Sequence, residues 1–129
     1  MDVFARDVTF ATLVKALGLQ GKRQTLIAEN IANVNTPGYK RRDVADFSAE
    51  LAAALEAGGS RAEQVERVDQ VVAREVVADE LFYRADMGGV DLDREMAELA
   101  KSSLLGAAYN QLLQKRIGQY RMVIRDGRV

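Results

Sequence analysis

Residues 28–43 read Ala28-Glu29-Asn30-Ile31-Ala32-Asn33-Val34-Asn35-Thr36-Pro37-Gly38-Tyr39-Lys40-Arg41-Arg42-Asp43, and they determine where a long helix must stop. Ile27, Ile31 and Val34 carry an apolar stripe at helical spacing, while Asn30, Asn33 and Asn35 weaken helix propensity along it. Thr36 precedes a proline, which disfavours the α region at that residue, so the helix ends before it. Pro37-Gly38 then reads as a tight turn, with proline fixing φ and glycine free to take φ > 0. Beyond the turn Tyr39 is placed to pack back, with Lys40, Arg41 and Arg42 solvated. On the residues alone, this is a helix C-terminus followed by a turn.

Upstream of the stop, Phe10, Leu13, Leu17, Gln20, Gln24, Ile27, Ile31 and Val34 recur at alternating steps of three and four. That is an unbroken heptad seam with two polar members. It predicts a helix from about residue 3 to 34, roughly 48 Å long, capped by Asp2 or Asp7. The far end of the chain repeats the pattern. Leu92, Met96, Leu99, Ser103, Gly106, Asn110, Leu113, Ile117, Tyr120 and Ile124 form a second seam, roughly 50 Å long. Asp91 stands at its N-cap, Asp93 and Glu95 fill its first turn, and Lys115, Arg116, Arg121 and Arg125 load its C-terminal part. Each sign suits the helix dipole.

Both seams are apolar at their ends and polar or small in the middle. One antiparallel register sets Phe10 against Tyr120, Leu13 against Ile117, Leu17 against Leu113, Ile31 against Leu99 and Val34 against Met96. It also sets Gln20 against Asn110, Gln24 against Gly106 and, less well, Ile27 against Ser103. A buried polar layer costs stability and fixes register. A parallel alignment also matches the polar layers, so the pattern leaves the direction open. Beside the seams lie Val14, Leu19 and Leu26 on the first helix and Leu104, Leu105, Tyr109, Leu112 and Met122 on the second. These extra stripes need covering, either by neighbouring copies of the chain or by its own middle segment.

Between the helices, Phe47 to Ala57 reads as a short helix behind Asp46, stopped by Gly58-Gly59. Val65, Val68, Val71, Val72, Val76 and Val77 fit strand or helix. Leu81-Phe82-Tyr83 is an apolar patch, and Gly88-Gly89 a hinge into the last helix. The chain therefore divides into a helix over 1–35, a middle segment over 36–89 and a helix over 90–129. Its expected class is mainly all-α: long terminal helices paired as in an antiparallel coiled coil, with an irregular or partly β middle.

Composition narrows the chemistry. The 129 residues contain no histidine and no cysteine, which removes the two commonest nucleophile-activating and metal-binding side chains. Gly18-Leu19-Gln20-Gly21-Lys22 fails the phosphate-loop spacing, and Arg23 stands where that loop needs a hydroxyl. Asp91, Asp93 and Glu95 lack the glycine and later glutamate of a calcium loop. A net charge of −1, with Tyr39 the only aromatic beside Lys40 to Arg42, argues against nucleic acid. No catalytic residue, metal, cofactor or small-molecule substrate is expected. Lys/Arg against Asp/Glu number seven to four in residues 1–43, four to ten in 44–90 and seven to five in 91–129. Basic ends and an acidic middle are by default solvated charge, and they also fit head-to-flank contacts between subunits.

Two stretches carry a resemblance. N-I-A-N-x-N-T-P-G-Y-K, Asn30 to Lys40, resembles the N-terminal signature of the rod and hook proteins of the bacterial flagellum. Arg41 to Phe47 (R-R-D-V-A-D-F) resembles the proximal rod members, and Val90 to Leu99 (V-D-L-D-R-E-M-A-E-L) resembles the start of their C-terminal helix. The likeness covers residues 1–47 and 90–129. Met87-Gly88-Gly89 departs from it, standing where a Gly-Asn-type turn usually precedes V-D-x-D.

The resemblance implies a non-enzymatic proximal-rod subunit that assembles helically and helps to join the MS-ring to the drive shaft. It implies partners among copies of itself, other rod proteins, the MS-ring, a rod-adaptor protein and the flagellar type III export apparatus. It also implies terminal helices lying side by side, which favours the antiparallel pairing. The residues it marks for assembly are Asn30, Ile31, Ala32, Asn33, Asn35, Thr36, Pro37, Gly38, Tyr39, Lys40, Asp43, Phe47, Val90, Asp91, Asp93, Glu95 and Met96, with the turn aiming Lys40 to Arg42 at an adjacent subunit. Recognition at the export gate is associated with an early phenylalanine followed four residues later by an aliphatic residue. Phe4–Val8 and Phe10–Val14 both fit, and both serve equally as helix-packing pairs. Asp2 and Asp7 interrupt any secretory pattern, which by itself reads as cytoplasmic. The family implication is instead a periplasmic rod reached without a cleaved signal peptide. A second class stays open on the residues: a cytoplasmic helical adaptor or chaperone binding partners through its heptad faces.

Overall fold

The computed structural model describes residues 7–77 and 90–127. Phe4, Asp2, the Leu81-Phe82-Tyr83 patch and the Gly88-Gly89 hinge lie outside them. Asp7 opens α1 (Val8–Ala32) in an extended conformation, its side chain accepting from the Phe10 N–H at 3.1 Å. The first helix thus begins at Val8, later than the expected start near residue 3. At its other end Asn33 closes the helix, and a turn follows in which the Tyr39 N–H donates to the Thr36 carbonyl at 3.2 Å. Gly38, third in that turn, has φ +75°, as a type II turn led by proline requires.

The middle segment folds back along α1. β1 (Arg42–Val44) leads to α2 (Ser48–Glu56), whose first turn is held by the Asp46 carboxylate accepting from the Ser48 N–H at 2.9 Å. Gly58 and Gly59 take φ +71° and +94° to reverse the chain. Ser60 and Glu63 then form a reciprocal capping box at the start of α3 (Arg61–Gln70). Arg67 donates to the carbonyls of Ala54, at 3.0 Å, and Gly58, tying the end of α2 to α3. After α3 the chain extends into β2 (Glu75–Val77), antiparallel to β1 with Arg42 opposite Val77 and Val44 opposite Glu75. The valine-rich run is therefore part helix and part strand. A helix cap decides its first half, and pairing with β1 decides its second.

The last element, α4 (Leu92–Arg125), is capped by Asp91, which accepts from the N–H groups of Asp93 at 3.0 Å and Arg94 at 3.3 Å. It packs antiparallel on α1: Asp7 meets Arg116 and Tyr120, Gln20 meets Ser102, and Asn30 meets Glu95. So α1 is the element that α4 packs along. It also packs against α3 and β1, and α2 packs against α3. The apolar core joins Ala16 and Leu19 of α1 to Leu51 and Ala54 of α2 and to Val68 and Val71, with Phe47 and Tyr109 packed on it. The extra stripe of α1 is thus covered by the chain's own middle segment at Leu19. Leu26 is buried as well, and Val14 stays exposed.

Gly106 faces α1 between the two glutamines. A Cβ there would lie 3.6 Å from Gln24 Nε2 and 3.9 Å from Gln20 Cγ, ordinary contact distances. Gly106→Ala should therefore gain about 0.5–1 kcal/mol from helix propensity. The measurement is the urea midpoint at unchanged slope, and a loss of stability would mean that the helices close more tightly than this.

Candidate assembly site

The stop of α1 is chemically closed by one side chain. Asn30 is fully buried, and its amide uses all of its hydrogen-bonding capacity. Its Nδ2 donates to the Arg42 carbonyl at 2.7 Å and to Glu95 Oε2 at 3.2 Å. Its Oδ1 accepts from the Arg42 N–H at 3.0 Å and from the Tyr39 hydroxyl at 3.4 Å. Asn30 thus pairs with the main chain of Arg42 in both directions, as a neighbouring strand residue would. Asn33 tightens the same loop, donating to the Glu29 carbonyl at 2.8 Å and accepting from the Thr36 hydroxyl at 3.1 Å.

Glu95 of α4 is equally buried and lies at the centre of an ionic cluster. It accepts from Asn30 and from Arg41 Nε, and Arg41 Nη2 also reaches Asp43 Oδ2 at 3.2 Å. Asp43 in turn takes both ends of the Arg23 guanidinium, at 3.1 and 3.3 Å, and Arg23 continues to Glu98 at 3.0 Å. Burial disfavours the Arg41 charge, but the Glu95 and Asp43 carboxylates outweigh it and hold the group protonated. The cluster joins three elements: α1 through Arg23 and Asn30, the post-turn strand through Arg41 and Asp43, and α4 through Glu95 and Glu98.

A second polar latch closes the opposite end of the helix pair. Asp7 accepts from Arg116 Nε at 2.8 Å and Nη2 at 3.2 Å, and from the Tyr120 hydroxyl. Burial pushes the Asp7 carboxyl up, but the bonds from Arg116, Tyr120 and the Phe10 N–H outweigh it and bring it down from 3.8 to about 2. Because the folded value lies below the unfolded one, this contribution is complete above the unfolded pKa and disappears as pH falls from about 4 towards 2. Asp7→Asn keeps the helix cap and removes the charge. It should cost about 2 kcal/mol at neutral pH, and the difference from the parent in urea unfolding should shrink towards zero near pH 2.

Between the two latches Gln20 Nε2 donates to the Ser102 hydroxyl and carbonyl. Among the described residues no cluster of metal-ligating side chains occurs, and no helix is long and apolar enough to cross a membrane.

What these latches leave outside is the far face of α4. Leu104 is 73 % exposed and Met96 52 %, with Leu112 and Met122 also exposed. A paired-helix unit with fixed register and an uncovered apolar helix face is built to be joined to something.

Residues 10–40 match the family model described as flagella basal body rod protein. The chain is 33 % identical to the flagellar basal body rod protein FlgB of Proteus mirabilis (strain HI4320) over 131 residues, 92 % of this chain and 95 % of that one. The chain belongs to the FlgB family of flagellar basal body rod proteins. It is 36 % identical to the Escherichia coli (strain K12) FlgB over 70 % of this chain and 73 % of that one. Similarity to the Bacillus subtilis (strain 168) FlgB is 30 % identity over 87 % of each.

The FlgB-type signature is brought together only in part. Asn30, Tyr39, Asp43 and Glu95 converge on the cluster, and Val90 is buried. Phe47 packs on the core. Ala32, Asn35, Thr36, Pro37, Gly38 and Lys40 are exposed at the turn, and Ile31 and Asn33 are half-buried. Asp91 caps α4, while Asp93 and Met96 are exposed. The basic run is not a solvated or outward-aimed unit: Arg41 is buried and Arg42 pairs with Glu29 at 2.6 Å and Glu75 at 3.3 Å. Glu95 stands in the first turn of α4, as the dipole argument expects, but it is buried there.

The α4 seam is rolled relative to the expected one. Leu99, Gly106, Leu113, Ile117 and Tyr120 face inward, but Leu92, Met96, Ser103, Asn110 and Ile124 are exposed. Glu95, Ser102 and Tyr109 turn inward, each one position earlier than 96, 103 and 110, and Arg116 turns inward beside Ile117. Gln20 consequently pairs with Ser102, and Asn110 is exposed. On α1, Gln20 and Ile27 are buried, and Phe10, Leu13, Leu17, Gln24, Ile31 and Val34 are half-buried. Of the export-gate pairs, Val8 and Phe10 are half-buried and Val14 is exposed.

Proposed function

We propose that this chain is a structural subunit of the proximal rod of the flagellar basal body, assembling helically and helping to join the MS-ring to the drive shaft that transmits torque. The observation that carries the reading is the likeness to FlgB proteins along almost the whole of both chains. The architecture supports it: helices from the two ends of the chain lie side by side in a fixed register, and an apolar face of α4 is left for neighbours. In this reading its partners are copies of itself, other rod proteins, and the MS-ring with its rod-adaptor protein. The subunit performs no catalysis. It reaches the periplasm through the flagellar type III export apparatus, without a cleaved signal peptide, with Phe10 and Val14 as the described gate candidates.

Deleting the gene should abolish swimming, and a tagged copy should restore it and copurify with isolated basal bodies. Swimming in the deletion strain, or a tagged protein confined to the cytoplasm in complex with soluble partners, would instead support the adaptor reading.

A further inference from the structure

The last turns of α4 run on past Arg116 and Tyr120, the partners of Asp7, and end in Arg121-Met122-Val123-Ile124-Arg125, all exposed. Met122 is 56 % and Ile124 59 % exposed. Arg121 and Arg125, four apart, share one face of the helix, with Met122 on one side of it and Ile124 on the other. The tip is therefore apolar with a basic ridge. On the flank of the molecule, α1 and the stretch after α3 enclose a groove of about 410 Å³ lined by Val14, Gly18, Val72 and Ala73, with Lys15 and Asp69 at its edge. Gly18 has open space where a side chain would stand. Lys15 donates to the Asp69 carbonyl at 2.8 Å, and the side chains of Asp69 and of Glu66, one turn earlier on α3, are exposed.

We propose that this groove receives the α4 tip of a second copy of the chain. Met122, on one flank of the ridge, enters the groove, and Arg121 and Arg125 meet Glu66 and Asp69. Both halves of the contact occur on one chain with opposite charge, in line with the acidic middle and basic C-terminal segment, so a second copy satisfies both at once. End-to-flank contact is heterologous: repeated by each copy, it generates an open helix in place of a closed pair. The inference rests on the rod-subunit reading and gives it a specific joint.

The chain has no cysteine, so single substitutions report cleanly. Val72→Cys and Met122→Cys proteins carrying different tags, mixed under mild oxidation, should form a 72–122 heterodimer about tenfold above the Asn35→Cys with Met122→Cys mixture, which sets the collision background. Arg121→Glu with Arg125→Glu on the Met122→Cys protein should remove that excess, and Glu66→Arg with Asp69→Arg on its partner should restore it. Heterodimer at the background level, an excess insensitive to charge reversal, or predominant 122–122 homodimer would each overturn the proposal. All the substituted positions are exposed, and circular dichroism verifies that each variant is folded. Cells separate this joint from the wider reading. A tagged chain that enters basal bodies without the 72–122 contact leaves the rod-subunit reading standing and removes only the joint. A chain that never enters them removes the rod-subunit reading whatever the cross-link shows.

Discussion

Glu95→Ala is expected to cost about 3–5 kcal/mol, enough to unfold a marginal domain. The carboxylate is fully buried, and its loss leaves the Arg41 guanidinium inside the protein with Asp43 as its remaining acidic partner. It also strands one donor of Asn30. The penalty arises from the uncompensated charge more than from the bonds lost, and that can be tested. Glu95→Leu combined with Arg41→Met removes both charges and should recover most of the stability, because a buried ion pair is often replaceable by apolar side chains. Urea unfolding followed by circular dichroism gives both numbers. A cost below about 1 kcal/mol for Glu95→Ala would mean that the cluster is solvated and is no lock.

Asn30→Asp should be nearly as damaging, although it changes one atom. The new oxygen would face the Arg42 carbonyl, now 2.7 Å from a donor, and Glu95 Oε2, now 3.2 Å from the same donor. Two hydrogen bonds become acceptor–acceptor contacts, one of them between like charges, for an expected loss of about 3 kcal/mol. Arg42 is the residue released, so the loop after the turn should open first. Limited trypsin digestion should cut after Lys40, Arg41 and Arg42 faster in the variant than in the parent, ahead of global unfolding. Cleavage that speeds up equally along the whole chain would place the effect elsewhere.

The helix stop and the turn were legible in the sequence because local rules govern them: Pro37 ends the helix, Gly38 takes the positive φ, and Asp7 and Asp91 cap. The direction of the helix pairing came from the family resemblance, since the seams fit either way. The roll of α4 was not legible. Its two possible seams share the row Leu99, Gly106, Leu113 and Tyr120, and hydropathy favours Met96 over Glu95 as the companion. The choice goes to Glu95, Ser102 and Arg116 because α1 offers each a polar partner, Asn30, Gln20 and Asp7, across the interface. Periodicity on one helix carries no information about such partners. Arg41 was hidden for a related reason. Within a run of three basic residues, only tertiary placement distinguishes the one that turns inward. The capping box at Ser60 and Glu63 is readable as S-x-x-E, a local signal that marks the start of α3.

The rows at 95, 102 and 116 also bear on a difficulty that every filament of identical helical chains faces. Where many copies of α1 and α4 lie within reach, apolar seams alone tolerate sliding, since leucine against leucine costs little at any offset. Here a slip by one helical turn sets Glu95, Gln20 and Asp7 all against the wrong neighbours, stranding buried charge and amide groups together. Such a mismatch is penalised by several contacts at once, so misaligned associations are rejected far more strongly than the aligned one is favoured. The same contacts would form equally well if α4 came from a neighbouring chain in the same register. The interface therefore polices alignment and is indifferent to ownership.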